Sequence, residues 1–472
     1  MLPRFKVGDV IGGQYKILKI LGGEGESGRG VVYVVDEEHN VLALKTLQDK
    51  FLDSESMVHA FKREALAWVH LERHPYIVRA QYVINIDEIP YIALDYIAPD
   101  MDGKNTLTQY MKEPISLKRV LKWSIQCCYA LEYGESKGIA PHRDIKPDNI
   151  MITVERNVKI TDYGLAMFLG EETAVGYWKE KAEKGKLGLS FLRVSKGETV
   201  GGTVPWMASE QFEGSADIRS DIYSFGIVMY QMVNQGYLPF YHTSVDKYYI
   251  AHKSESVPPL NSQLFPIIKQ CLEKKPENRY QDFRALRTDL EILYKSISGK
   301  MPPRPPAEKE FEAWEHNNKG VSFAALNFIE DAINEFKKSL QLSPGYGNAH
   351  NNLGYIYMKQ GYIKEAIEHF KEAIIAKPHS IESRNNLATT LEKIGEFKEA
   401  SEIYREIVRF NPNLIIAHYK LARSLEKIGE YKDALAYYQN FTLFVSKKHG
   451  HYGKKIKLAK KQIKELKKKI KN

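Results

Sequence analysis

Cysteine is scarce in this chain of 472 residues: Cys127, Cys128 and Cys271 are the whole supply. An odd number, two of them adjacent, makes no disulfide framework and has no metal-ligand spacing, so neither a cross-linked secreted module nor a zinc site is expected. Long apolar runs are missing too. The most apolar stretches, around Val31–Val35 and Ile222–Val233, are short and interrupted by tyrosine or polar residues, below the ~20 residues that a spanning helix needs. The opening MLPRFKVGDVIGG has no apolar core followed by a small-residue cleavage site, so no secretory leader is expected. These absences point to a cytoplasmic protein with reduced thiols.

Acidic residues are almost absent from one segment only. Residues 447–472 hold 12 lysines and a single acid, Glu465, whereas the remainder carries 56 basic and 58 acidic residues. The overall charge of +9 therefore belongs to the tail. With 43% hydrophobic and 27% charged residues, the composition is that of a globular protein, and the length exceeds what one core supports. Two or three domains are expected.

A break falls at Met301-Pro-Pro-Arg-Pro-Pro306, where four prolines in six residues favour an extended, stiff connector. Before it, Gly-rich turns and β-branched runs give way to longer amphipathic stretches. After it the pattern is helical, and it repeats. Ala332, Ala366, Ala400 and Ala434 are spaced by 34, as are Pro344, Pro378 and Pro412. Small residues recur at Gly320, Gly354, Ala388 and Ala422, and large rings at Phe336, Phe370, Tyr404 and Tyr438. This 34-residue unit resembles the tetratricopeptide repeat, a helix–turn–helix module that stacks into a solenoid. Asn-Asn pairs stand at 317–318, 351–352 and 385–386. An amide offers a donor and an acceptor, so Asn318, Asn352 and Asn386 are candidates for holding a peptide backbone. The resemblance implies a peptide or protein ligand in the repeat groove. Ile456, Ala459, Ile463, Leu466 and Ile470 make one apolar stripe on a lysine-rich helix. A cap on the last repeat is expected, with a basic face that is either solvated or offered to an acidic partner.

The first 300 residues carry the chemistry. Leu21 to Tyr33 is a glycine-rich turn between strand-like segments, able to close backbone N–H groups over phosphates. Gly23, Gly25 and Gly28 satisfy G-x-G-x-x-G, whereas counting back from Val32 selects Gly25, Ser27 and Gly30, with Gly22 at the start; both registers stay open. Ala43-Leu44-Lys45 lies in an apolar strand, and Glu64 in the amphipathic stretch that follows. His142-Arg-Asp-Ile-Lys-Pro-Asp-Asn149 resembles the catalytic loop H-R-D-L-K-P-E-N of protein kinases, and Asp162-Tyr163-Gly164 resembles D-F-G. Gly202 to Glu210 resembles the end of an activation segment, with Ser209 where the family has proline. Asp221 and Arg279 match two further family positions.

The chain is therefore identified as resembling eukaryotic-type serine/threonine protein kinases. The resemblance implies an α+β, bilobal kinase fold followed by an all-α tetratricopeptide-repeat solenoid. It implies ATP and Mg2+ as cofactors and a protein substrate. Asp144 would accept the hydroxyl proton, Lys146 would stabilise the transferring phosphoryl group, and Lys45 would touch the phosphates while Glu64 holds it. Asn149 and Asp162 would bind magnesium. Val32 and Ala43 would roof the adenine, Met151 floor it, Leu94 stand behind it, and the backbone at Asp95 and Ile97 hydrogen-bond it. Arg143 would capture an activation-segment phosphate, with Ser195, Thr199 and Thr203 as acceptor sites. The expected boundaries are 1–299 for the kinase domain, 300–310 for the linker, 311–448 for four repeats and 449–472 for the basic capping helix. A catalytically silent scaffold is the competing expectation. Such domains lose the lysine or one of the aspartates, and Lys45, Asp144 and Asp162 all stand.

Overall fold

The structure is a computed structural model and describes residues 4–22, 30–163, 204–306, 310–445 and 453–471. They form two compact units, Met1–Glu310 and Phe311–Asn472.

In the first unit β-branched alternation yields one antiparallel sheet. Its strands are β1 (Val10–Ile11), β2 (Tyr15–Leu21), β3 (Gly30–Glu37), β4 (Asn40–Leu47), β5 (Ala80–Ile86) and β6 (Ile89–Asp95), in the order β1-β2-β3-β4-β6-β5. Directly opposed residues of an antiparallel pair share a face. The register pairs Val32 with Lys45, Val34 with Ala43, Ala43 with Leu94 and Lys45 with Ile92. Val32, Ala43, Lys45 and Leu94 thus stand on one face, while Leu42, Leu44, Tyr33 and Val35 belong to a separate apolar cluster. Helix α1 (Glu55–Leu71) connects β4 to β5, and β7 (Ile150–Ile152) and β8 (Val158–Ile160) form a hairpin.

The helices of this unit are α2 (Leu107–Tyr110), α3 (Leu117–Ser136), α4 (Ser209–Phe212), α5 (Ile218–Val233), α6 (Val245–Ser254), α7 (Phe265–Cys271) and α8 (Phe283–Ser298). Asp217 caps α5 by accepting from the Arg219 N–H, and Ser220 to Met232 are then buried without a break. Helix α5 is thus a central post. Gly226 lets α7 reach it, since a Cβ there would lie 2.7 Å from Cys271 Cβ. Helix α8 stops at Gly299, whose φ of 64° a side chain would resist. The proline-rich stretch after it is tied to the same unit: Tyr76 donates to the Arg304 carbonyl at 3.4 Å and Arg73 to that of Glu310 at 3.2 Å.

The second unit is a run of antiparallel helix pairs: α9 (Ala313–Ala325) with α10 (Ile329–Leu342), α11 (Gly347–Gln360) with α12 (Ile363–Ala376), α13 (Ile381–Ile394) with α14 (Phe397–Phe410), and α15 (Ile415–Lys427) with α16 (Tyr431–Val445). The left-handed turn inside each pair needs φ near 70–90°, and it falls on Asn327, Gly361, Gly395 and Gly429. This 34-residue series has a physical cause, because Asn and Gly tolerate that conformation best. Helix α17 (Gly453–Lys471) packs on α16 with Ala459 and Leu466 fully buried, and Ile456 and Ile463 join the same core.

The small-residue positions are of two kinds. Gly320 faces Phe336 and Gly354 faces Phe370, where an added Cβ would come within 2.6 and 2.9 Å of the ring. Ala388 and Ala422 occur where the ring is tyrosine. There the hydroxyl of Tyr404 donates to Glu392 and that of Tyr438 to Glu426 at 3.3 and 2.9 Å. Gly354→Ala should therefore destabilise the repeats by about 1 kcal/mol, overpacking outweighing a similar gain in helix propensity. Urea unfolding followed by circular dichroism checks this; a stabilised variant would contradict the pairing.

Candidate active site

A lysine on a central strand facing the interior must find anions. Lys45 Nζ lies 2.5 Å from Glu64 Oε1 of α1 and 2.8 Å from Asp162 Oδ1 just after β8. Burial alone would lower the ammonium, but the charges of Asp162 and Glu64 outweigh it and hold Lys45 above its ordinary value. It stays protonated across the physiological range. Burial lifts Glu64; Lys45 opposes, and Asp162 adds to the lift. Asp162 is less enclosed, its side chain 38% exposed. Against a desolvation cost, Lys45 brings it down to about 2, so it is a carboxylate.

The catalytic-loop segment is hung from α5. Asp221, 1% exposed, accepts the backbone N–H groups of His142 at 2.6 Å and Arg143 at 2.8 Å. Such a carboxylate clamp holds a loop through its main chain, whatever its side chains do. His142 Nδ1 receives the Asp144 N–H at 3.3 Å while Nε2 faces the Thr161 carbonyl at 3.2 Å. Burial keeps this ring below its usual value, so it is neutral and its Nε2 carries the proton. Two residues here take the left-handed backbone that side chains resist, Arg143 in this loop with φ 67° and Asp162 after β8 with φ 66°.

Asp144 stands amid donors. Lys146 Nζ approaches its two oxygens at 3.1 and 2.9 Å. Asn149 Nδ2 donates to the Asp144 carbonyl at 2.8 Å and to Oδ2 at 2.9 Å. Both amide hydrogens of Asn149 are spent in this way, which leaves its side-chain oxygen as an acceptor. That oxygen and the Asp162 carboxylate are hard donors of the type Mg2+ prefers, and these residues fit such an ion. Arg143 Nε is buried with no partner among the described residues, and Gln211 Nε2 donates to its carbonyl at 3.2 Å.

Other expected residues fall as follows. Gly22 has φ 74°. A Cβ on Gly30 would meet the Thr46 carbonyl at 3.2 Å and Lys45 Cε at 3.5 Å. Met151 pairs with Lys159 on the β7–β8 hairpin. Asp95 accepts from Gln81 Nε2 at 2.5 Å, and the Ile97 carbonyl accepts from Asn105 at 2.8 Å. Glu210 and Arg279 pair at 2.5 Å with the arginine side chain wholly enclosed, and Ser220 donates to the same carboxylate at 2.8 Å. Gly23, Gly25, Gly28, Ser195, Thr199 and Thr203 lie outside the described residues. Asn318, Asn352 and Asn386 belong to the second unit.

Trp68 was not singled out by the sequence reading. It lies one helical turn after Glu64, and that i, i+4 spacing was the available signal. Its ring meets Tyr163 edge-on at 5.3 Å, and the His142 ring, tilted against Tyr163, lies 4.4 Å from it. Tyr163 is 1% exposed. Its hydroxyl has no partner among the described residues.

These features define a protein kinase catalytic core. The protein kinase domain family matches residues 15–289, more than half of the chain, and the chain belongs to that family. The TPR repeat family matches residues 320–361, and the family of subunit 3 of the anaphase-promoting complex matches residues 359–441. The chain is 32% identical over 301 residues to a probable serine/threonine-protein kinase of Clostridium perfringens, covering 61% of this chain and 39% of that protein. To a second, from Clostridium acetobutylicum, it is 32% identical over 296 residues, 60% of this chain and 40% of the other. To the serine/threonine-protein kinase PknB of Mycobacterium tuberculosis it is 31% identical over 277 residues, 57% of this chain and 40% of the other. The chain thus spans about two-fifths of the length of these relatives. Among the described residues, no helix is long and apolar enough to cross a membrane.

An enclosed, unpaired hydroxyl is a standing cost. Tyr163→Phe should therefore raise stability by about 1 kcal/mol, read as a higher melting temperature by scanning calorimetry. An unchanged or lower value would mean that the hydroxyl is satisfied.

Proposed function

We propose that this chain is an ATP- and Mg2+-dependent protein serine/threonine kinase whose repeat unit recruits a substrate or adaptor segment. The observation that carries this reading is the set of contacts joining Lys45 to Glu64 and Asp162, beside Asp144 held by Lys146 and Asn149. Asp144 orients the acceptor hydroxyl and takes its proton, and Lys146 meets the negative charge that develops beside it. Lys45 fixes the donor phosphates, and Asp162 and the oxygen of Asn149 hold the metal. When bound, Mg2+ neutralises charge on the β- and γ-phosphates. Lys146 is the residue that favours serine and threonine over tyrosine. The relatives' printed names support the same class. In this reading residues 1–299, 300–310, 311–448 and 449–472 are kinase domain, linker, repeats and cap, and the protein works in the cytoplasm with its three buried thiols reduced.

The test is transfer of radiolabelled γ-phosphate from ATP to a basic protein such as myelin basic protein. Asp144→Asn keeps the shape of the side chain but loses the base, and the rate should fall by about 10²–10⁴-fold. Equal rates in mutant and wild type, or no transfer in either, would favour the silent scaffold.

Regulation follows from Arg143. Its enclosed Nε lacks a partner among the described residues, as expected of a guanidinium waiting for an anion. Autophosphorylation at Ser195 or Thr199 would supply one, with Thr203 kept for the catalytic loop. Mass spectrometry of the active enzyme should find one of the two sites occupied, and phosphatase treatment should lower activity. Full activity with neither site modified would sink this mechanism.

A further inference from the structure

The segment between α1 and β5 is the shared footing of both anions that meet Lys45. On one side Glu64 lies about two turns before α1 ends at Leu71. On the other side the segment encloses Ile160 of β8. The Ile160 N–H donates to the Tyr76 carbonyl and its own carbonyl accepts the Val78 N–H, each at 2.8 Å. Asp162 follows two residues later. The inner side of the segment rests on α3, where the His74 ring stacks on Tyr133 at 4.6 Å and Lys137 pairs with Glu72 at 2.8 Å. A shift of this segment therefore changes where Glu64 and Asp162 stand about Lys45.

Its outer side is held by the proline-rich linker. Tyr76 donates to the Arg304 carbonyl and Arg73 to that of Glu310. The two contacts run in opposite chain directions, so the linker spans the segment instead of touching it at one point. Pro302, Pro303, Pro305 and Pro306 have no N–H, and a proline-rich stretch makes no hydrogen bonds within itself, so its carbonyls are open to outside donors. Fixed φ angles also make it stiff, so it resists stretching between its two attachments. Pro302, Pro303 and Pro305 are partly buried. The linker lies beyond residues 15–289, which the protein kinase domain family matches, so this clasp is an addition to that domain.

We propose that the proline-rich linker is a positioning strap for the active site, holding the α1–β5 segment and, through it, the placing of Glu64 and Asp162 about Lys45. This rests on the kinase reading above and adds a dependence of catalysis on positioning residues, Arg73, Tyr76 and the four prolines. The inner contacts to α3 and β8 remain when the strap is cut, so its loss loosens α1 without unfolding the domain.

Two full-length variants test this: Tyr76→Phe, and a chain with Pro302, Pro303, Pro305 and Pro306 all changed to serine. The Tyr76 hydroxyl also neighbours Gln126, so the serine variant is the one that isolates the linker. Hydrogen exchange read by mass spectrometry should show the α1 amides after Val58 exchanging about fivefold faster in each, the effect of one lost hydrogen bond, while α5 and α8 keep their rates. The KM for ATP should rise by a similar factor, with the KM for myelin basic protein unchanged. Combining the two variants should add little, because both cut the same strap; full additivity would overturn the link between them. Unchanged exchange in α1 of the serine variant would sink the strap. Faster exchange everywhere with an unchanged KM for ATP would mean general stabilisation only and would overturn the positioning role. Faster exchange confined to α1 and the segment at Asp162, in a chain that transfers no phosphate even as wild type, would uphold the strap and overturn the kinase reading alone.

Discussion

An ammonium group on a central strand cannot be left alone in the interior, and much of the first unit is arranged around satisfying it. Lys45 comes from β4, Glu64 from α1 and Asp162 from the end of β8. The last two are brought in from 19 and 117 residues away. Any displacement of α1 or of the segment at Asp162 strips a partner from a buried charge, which costs more than the net worth of the pair. The three segments are therefore coupled through one nitrogen atom. The same atom is the one the phosphates would need.

A second support acts from below. Asp221 grips the main chain of His142 and Arg143 from the most enclosed helix of the unit, and Glu210 is pinned through Arg279 to the loop that follows α7. The main chain around Asp144, the proton acceptor of the proposed function, is thus held by backbone hydrogen bonds and by a neutral imidazole. Its own contacts, Lys146 and Asn149, are the ones that chemistry would rearrange. Rigid main chain and exchangeable side-chain partners are a sound division for a proton acceptor.

Part of this was legible in the sequence. Lys45 in an apolar run needed either solvent or a partner, the resemblance to protein kinases supplied Glu64, and the contact with Asp162, expected only as a magnesium ligand, came from the structure. The 34-residue series required a stack of helix pairs. What escaped was of another kind. Trp68 and the stacking around Tyr163 depend on which faces meet, and spacing within one helix names a face without naming its neighbour. The bonding of Asn352 to Asn317 and of Asn386 to Asn351 was missed for the same reason: the repeat gave their spacing, whereas the step between repeats decides that one amide reaches the next. The left-handed turns at Asn327, Gly361, Gly395 and Gly429 were in plain view, but glycine and asparagine have many uses, and only the φ values single this one out.

The two kinds of helix pair constrain how such an array can change its length. A glycine opposite phenylalanine and an alanine opposite tyrosine are each matched within one repeat. Recombination at a boundary between repeats moves a matched set intact and can lengthen or shorten the array freely. A crossover inside a repeat, joining the first helix of one kind to the second helix of the other, sets alanine against phenylalanine or glycine against tyrosine. One product is overfilled and the other hollow. Genetic exchange among such repeats would thus be filtered by packing, and seams at the proline turns would be the ones it lets through.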